Sequence, residues 1–251
     1  MRRKRPRNQY VVERRRVGLD PYPSEPDGSV WQLHLLQEEA AREETDAFAV
    51  LSIGGNDARA AFASSLDLDT IVETMTRRGI VEAYTQLASD VAKLSAGLIL
   101  VLVYHPRVTP VPLLWLLPPQ PVITRLIAKF SFMYFETAIA RGLPVIDLAR
   151  TFNPYLREDF GSTPIEPSNR SGMFIAELVK HVLDDFQFGE DPARVYWGVP
   201  ASLGGEGIRS EDLTEADYDR EGERYQRQLE AHLARSKAAA RAGRPTFCSV
   251  M

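Results

Sequence analysis

The stretch from residue 47 to residue 57 constrains the fold of this chain more than any other. It reads Ala-Phe-Ala-Val-Leu-Ser-Ile-Gly-Gly-Asn-Asp, so a continuous apolar run stops at two glycines, an amide and an acid. A short run of this kind favours a buried parallel strand over a helix. Gly54 and Gly55 allow a sharp turn, and Asn56 then offers an amide donor. Ligands of open α/β sheets bind at this carboxyl edge, and a fixed donor there suits an anion that develops during acyl transfer.

Short apolar runs and helical patterns alternate from residue 31 to residue 187. Strands are predicted at 47–53, 98–104 and 143–148, and helices at 31–42, 70–94, 123–141 and 172–186. Gly79 predicts a break in the second helix, and Gly142 fits the C-cap of the third. Such alternation is typical of a parallel sheet with helices on both faces. The sequence therefore predicts an α/β fold of three α/β/α layers around a flavodoxin-like parallel sheet, with a C-terminal helical tail.

The pattern changes after residue 187. Residues 188–212 are rich in glycine and acids and are predicted to form a loop. Thr214 and Asp217 match a capping box, from which a charged helix is predicted to run to about residue 240. The sparse apolar positions of that region are Tyr218, Tyr225, Leu229 and Leu233. The predicted divisions are a basic, disordered segment at 1–24, an α/β domain at 25–187, and a tail at 188–251.

Composition argues against several classes of function. The chain has 251 residues, 44% of them apolar, which is enough for one α/β domain with appendages. Eight basic residues lie within residues 1–16 and fit a nuclear signal, a phosphate-binding arm or a membrane patch. The formal charge of the whole chain is nevertheless −4, so no nucleic-acid partner is expected. No apolar run is long enough to span a bilayer, and no cofactor or metal is expected because no His, Cys and Asp cluster has ligand spacing.

Three parts of the sequence resemble the SGNH (GDSL-type) hydrolases. Gly54-Gly55-Asn56-Asp57 is similar to the family's Gly-x-Asn-Asp block, and Asp27-Gly28-Ser29-Val30 to its second block, whose glycine N–H is an oxyanion-hole donor. Residues 165–176 (Ile-Glu-Pro-Ser-Asn-Arg-Ser-Gly-Met-Phe-Ile-Ala) are similar to its last block, which leads into the final helix. The resemblance covers residues 25–187. It implies hydrolysis of a small ester or acyl-type substrate, with Gly28 and Asn56 as the oxyanion donors.

The sequence departs from the family's pattern in two places. The family's first block, Gly-Asp-Ser, carries the nucleophile on a strand in the middle of the sheet, but no Gly-Asp-Ser precedes Asp27. The family's histidine position holds Glu166, and the aspartate expected three residues earlier is Thr163. Either the sheet is unusual and lacks its first strand, or the chain is an incomplete version of a longer protein.

A serine esterase needs a base beside its nucleophile. An exposed carboxylate has a pKa of about 4.3, too low to extract a serine proton near neutral pH unless burial raises it. Glu166 therefore has an alternative structural role, as a cap of the helix that starts near Ser168 or as a partner of Arg170. His105 directly follows a core strand, on the same edge as Asn56, and is the alternative base.

Other catalytic candidates are less well placed in the sequence. His181 is predicted to be a partly buried or surface residue of the last domain helix, and His232 to lie in the tail helix outside the domain. Ser52 precedes the two glycines and is expected to face the core.

The C-terminus carries a lipidation motif. The single cysteine, Cys248, is followed by Ser249-Val250-Met251, which matches C-a-a-X in its farnesyl form. The alternative is a chance cysteine near a disordered end. One lipid chain gives only reversible attachment, and Arg235, Lys237, Arg241 and Arg244 add a thin basic patch. The motif predicts weak attachment to the cytosolic face of a membrane, which makes the protein cytoplasmic and peripherally membrane-associated.

Two functional hypotheses follow. In the first, the chain is an SGNH-type hydrolase with a non-standard base and a serine outside this sequence. In the second, it is a farnesylated, catalytically silent binding or scaffold domain whose Gly28 and Asn56 crevice still binds a small acyl or anionic ligand.

Overall fold

The computed structural model describes residues 37, 47–52, 70, 73, 79–108, 120–163, 165–214 and 222–242. The strands in these ranges are β1 (Phe48–Leu51), β2 (Gly97–Val101), β3 (Pro144–Ile146), β4 (Arg194–Trp197) and β5 (Arg209–Asp212). The helices bounded within them are α1 (Ile80–Leu94), α2 (Gln120–Arg141), α3 (Asn169–Asp185) and α4 (Glu223–Arg241), with short 3-10 turns at Arg157–Asp159 and Ala201–Leu203. The three predicted strands are thus confirmed, as is the break at Gly79, which precedes α1.

The five strands form one sheet in the order β1-β2-β3-β4-β5. The first four are parallel, and β5 pairs antiparallel with β4. All five residues of β2 are buried, because helices cover both faces of the sheet at this strand. Burial on both faces explains why β2 is a continuous apolar run rather than an alternating one.

The helices lie in two layers. Leu98 and Leu100 of β2 pack in a cluster with α1, α2 and α4. The intervening residues Ile99 and Val101 pack with α3 on the other face. Since successive strand residues point to opposite faces, α3 lies across the sheet from the other three helices. The predicted α/β/α layering is therefore confirmed.

The third crossover differs in hand from the first two. Each parallel connection moves the chain one strand further in the same direction across the sheet. The first two connections pass through α1 and α2 on one face, whereas the third passes through α3 on the other. Connections between parallel strands are right-handed in about 98% of cases. Because the third connection has the opposite hand to the first two, at least one of the three is left-handed.

The β1 strand forms an edge of the described sheet. Ala49 and Leu51 pack against the cluster of α1 and α2. Phe48 and Val50 point to the α3 face, where they remain 48% and 46% exposed. Ser52 follows Val50 by two residues, continues the same alternation along the chain and is also exposed. The expectation that Ser52 faces the core was therefore wrong. The reason is that α3 packs over β3 and β4 rather than over β1.

The prediction of a loop over residues 188–212 was also wrong, because this region contains β4 and β5. All four residues of β5 are exposed, so the strand has no apolar pattern by which to recognise it. Its backbone pairing with β4 is supported by Arg194, whose Nε lies 2.9 Å from Asp212 on the opposite strand. The boundary predicted at residue 187 therefore separates strands that pair in one sheet.

The tail helix is part of the same packed structure. α4 begins after Gly222, which has a φ of 65°; Asp217 of the predicted capping box lies outside the described residues. Tyr225, Leu229 and Leu233 are buried as predicted. They pack on the α1 and α2 side of the sheet, so the helix and its His232 lie within the domain and not outside it.

Candidate functional site

The predicted site is only partly within the described residues. Gly28, Asn56 and Cys248 lie outside them, while His105 and Glu166 lie inside. The carboxyl ends of β2 and β3 lead into two groups of polar side chains, one on each face of the sheet. The strand order does not reverse among the described strands, so neither group lies at a topological switch point, where α/β sheets usually bind ligands.

On the α3 side, the end of β2 is linked to the segment that carries Glu166. The hydroxyl of Tyr104 donates a hydrogen bond to the carbonyl oxygen of Ile165 at 2.6 Å. Burial, together with the nearby charge of Glu166, raises the pKa of Tyr104 to about 12. Glu166 thus lies at the carboxyl edge of the sheet, on the α3 side.

Glu166 has neither of the structural roles that the sequence offered. Ser168 caps α3, since its hydroxyl accepts the N–H of Ser171 at 3.2 Å. Arg170 pairs instead with Asp159, at 3.3 Å. The carboxylate of Glu166 is exposed and accepts one long hydrogen bond, from Ser162 at 3.4 Å. The burial that would turn this carboxylate into a base is therefore missing.

His105, the alternative base, lies at the end of β2 on the other side of the sheet. The ring is 1% exposed. Its Nδ1 lies 3.0 Å from the side-chain nitrogen of Gln120, and its Nε2 has no hydrogen-bond partner among the described residues. Burial, reinforced by the neighbouring His232 and only partly opposed by Asp147, lowers the pKa of His105 to about 4. The imidazole is therefore neutral near pH 7 but closed to solvent and substrate.

A buried ion pair follows β3 directly. Asp147, which is fully buried, accepts the backbone N–H of Arg150 at 3.0 Å and its Nε at 2.6 Å. The Arg150 guanidinium also lies 3.8 Å from the ring centre of Trp197 and 3.0 Å from Glu211. Burial is the largest single effect on Arg150 and would lower its pKa, but the charge and hydrogen bond of Asp147, together with Tyr225 and Glu211, outweigh it and raise the pKa. These contacts hold both side chains of the pair in place.

The tail helix closes over this group. The hydroxyl of Tyr225 donates to Asp147 at 2.8 Å. Nε2 of His232 lies 3.0 Å from the carbonyl oxygen of Phe152, and the Asn153 amide donates to the carbonyl of Ser236 at 3.4 Å. Burial lowers the pKa of His232, against the opposing effect of the Phe152 carbonyl. Three turns of α4 therefore bond to the segment after β3 and place His232 in the neighbourhood of His105.

The arrangement separates the parts that an esterase must combine. Glu166 and His105 lie on opposite sides of β2, the first exposed and the second sealed. Asp147, whose charge acts on His105, is already paired with Arg150. A substrate could reach His105 only if the packed structure around its ring opened.

Asp147 and Arg150 are not among the functional residues predicted from the sequence, and Tyr225 was predicted only as an apolar position of the tail. A signal was present for the first, because Asp147 ends the apolar run 143–146 much as Asn56 ends the run before it. Nothing in the sequence indicated that Tyr225 of α4 bonds to Asp147, since a tyrosine on the apolar face of a helix is usually a core residue.

The described residues contain no group of three His, Cys, Asp or Glu that could hold a metal ion. Within the same residues, every helix is too short or too polar to cross a bilayer. Comparisons of this chain with protein-family models, with curated proteins and with solved structures gave no match.

Proposed function

We propose that this chain is an SGNH hydrolase-like domain that has lost ester hydrolysis and serves as a lipid-anchored binding domain. The crevice of Gly28 and Asn56 keeps a donor set for a small acyl or anionic ligand. The lipid on Cys248 holds the domain at the cytosolic face of a membrane.

The observation that carries this proposal is the state of the two candidate bases. Glu166 occupies the family's histidine position as an exposed carboxylate, and ordinary carboxylates are too acidic to activate a serine near pH 7. His105 has the right chemistry, but it is 1% exposed. A general base must come within hydrogen-bond reach of the proton that it removes, and the buried ring of His105 is closed to a substrate.

Two features of the fold support the family resemblance. The last-block segment at Ile165 is tied to the carboxyl end of β2 by the 2.6 Å bond from Tyr104, and a site on a parallel sheet requires this edge. β1, which precedes Gly-Gly-Asn-Asp in the sequence, pairs with β2 in parallel, so the carboxyl ends of these two strands share one edge.

Labelling with a fluorophosphonate, read by intact mass, tests the proposal. This reagent reacts with serines that a base and an oxyanion hole activate. We expect no adduct on the folded wild-type chain and none on an Asn56→Ala control. Stoichiometric labelling of one serine, reduced by Asn56→Ala, would instead establish a live acyl-transfer site and refute the silent domain.

Mass spectrometry of the C-terminal peptide from the native source tests the anchor separately. We expect a farnesyl group on Cys248. A free thiol there would refute the lipid-anchored part of the proposal while leaving the result of the labelling unaffected.

A further inference from the structure

The second half of α4 presents a surface that is basic and contains no acid. From residue 231 to residue 242 the exposed cations are Arg235, Lys237 and Arg241, and the exposed residues next to them include Ala234 and Ala238. No Asp or Glu follows Glu230 in the sequence. We call this surface, made of these five residues, the basic face.

The packing of α4 fixes the direction of this basic face. The opposite side of the helix buries Leu229 and Leu233, and the bond from Tyr225 to Asp147 sets its rotation. Arg235, Lys237 and Arg241 therefore cannot turn inward, and none of them forms a salt bridge within the described ranges. By contrast, the exposed cations Lys93, Lys180 and Arg209 each pair with a nearby acid.

We propose that the basic face is a docking surface for the anionic leaflet of a membrane. Clustered cations match the negative surface potential that acidic lipids create, and the small alanines let the headgroups approach the helix closely. The choice of a membrane as the partner rests on the proposed function, because the lipid of Cys248 brings the basic face to the bilayer.

The position of the basic face in the chain supports this partner. Cys248 follows Arg241 by seven residues, which span at most about 24 Å when fully extended. A lipid at Cys248 therefore holds the end of α4 within reach of the headgroups, whatever the conformation of the intervening residues. Because α4 is bonded to the segment after β3, docking would fix the orientation of the whole sheet relative to the membrane.

The expected effect of the basic face is large. One lipid chain gives only marginal attachment. Each Lys or Arg close to an anionic surface adds about 1 kcal/mol, so three of them correspond to a gain in affinity of about 100-fold. The same gain falls steeply with added salt.

The single thiol allows a test that does not depend on enzymatic prenylation. A farnesyl maleimide is coupled to Cys248, and partitioning is measured onto phosphatidylcholine vesicles with and without phosphatidylserine, at low and at high ionic strength. The test variant is R235Q/K237Q/R241Q. The matched control is K93Q/K180Q/R209Q, which removes three exposed cations from other surfaces, at side-chain exposures of 66%, 63% and 59%.

We expect wild type and control to prefer the serine-lipid vesicles by about 100-fold at low salt, and the test variant to bind both vesicles alike. If the test variant kept the preference, cations elsewhere, such as those of residues 1–16, would carry it and the proposal would be overturned. A wild type without preference would overturn it as well. A free thiol on the native protein would refute the lipid anchor but would leave this measurement valid.

Discussion

Replacing Asp147 with asparagine should destabilise the domain far more than the same change at a surface ion pair. Asp147 is fully buried and accepts from Arg150 at 2.6 Å and from Tyr225 at 2.8 Å. An asparagine is nearly the same size, so Asp147→Asn leaves no cavity. It removes the charge that balances the guanidinium of Arg150, of which 8% is exposed.

The size of the effect follows from that burial. Removing one partner of a buried ion pair costs about 3–5 kcal/mol, because the other charge stays buried without compensation. Arg150 keeps its contact with Glu211 at 3.0 Å, but that side chain is 44% exposed and water weakens its attraction. We therefore expect a loss of about 3 kcal/mol or more in the free energy of unfolding.

Equilibrium urea unfolding of wild type and variant measures this loss. The control is Asp184→Asn, which breaks the pair with Lys180, whose two side chains are 67% and 63% exposed. Exposed pairs contribute about 0–1 kcal/mol, so the control should unfold close to wild type. Equal effects of the two substitutions would refute the reasoning, because Asp147 would then not be a buried charge on which the packing of α4 depends.

Two further predictions concern pH and backbone strain. Because the pKa of His105 is about 4 in the folded chain, below its ordinary value of 6.5, the unfolded chain binds the proton first as pH falls. The contribution of neutral, buried His105 to the free energy of unfolding is therefore fully present above pH 6.5 and is lost as the pH falls toward 4. His105 should thus contribute a loss of about 2 kcal/mol to urea unfolding between pH 7 and pH 5. His105→Gln should remove that part of the slope and leave the part due to His232, whose pKa burial also lowers; an unchanged slope would contradict the burial of His105. Gly222 has a φ of 65°, and an added Cβ would lie 2.8 Å from the carbonyl oxygen of Ala128. Gly222→Ala should therefore lower the thermal midpoint, whereas Gly172→Ala, in helix α3 with open space around it, should stabilise by about 0.5–1 kcal/mol; matching shifts in the two would count against the close approach at Gly222.

The sequence predicted well the elements whose burial leaves a pattern. The strands β2 and β3 stand out because a strand covered on both faces must be apolar at every position. β1 stands out because its residues Phe48–Leu51 are all apolar, although its α3 face is exposed. Gly79 and Gly142 marked helix ends correctly, since both adopt a positive φ of 64° and 59° that other residues disfavour. Helix α4 was recognisable from the spacing of Tyr225, Leu229 and Leu233.

Elements that depend on pairing or docking left no such pattern. The polar residues of β5 are held by backbone hydrogen bonds to β4, which any sequence can make. The packing of α4 on the domain depends on Asp147 and Phe152, which lie about 80 residues away in the chain. His232 was for this reason placed outside the domain, and the burial of His105 was not foreseen.

Acylation of histidines by diethyl pyrocarbonate tests most directly the claim that the candidate base is sealed. The reagent attacks the neutral imidazole, so the low pKa of His105 gives no protection and only access to the ring controls the rate. Modification would be followed by peptide mass spectrometry on folded and on urea-unfolded chain. We predict that His105 reacts at least about 100-fold more slowly in the folded chain, because exposing it requires the opening of packed structure. Comparable rates in the two states would contradict the account and restore His105 as a working base.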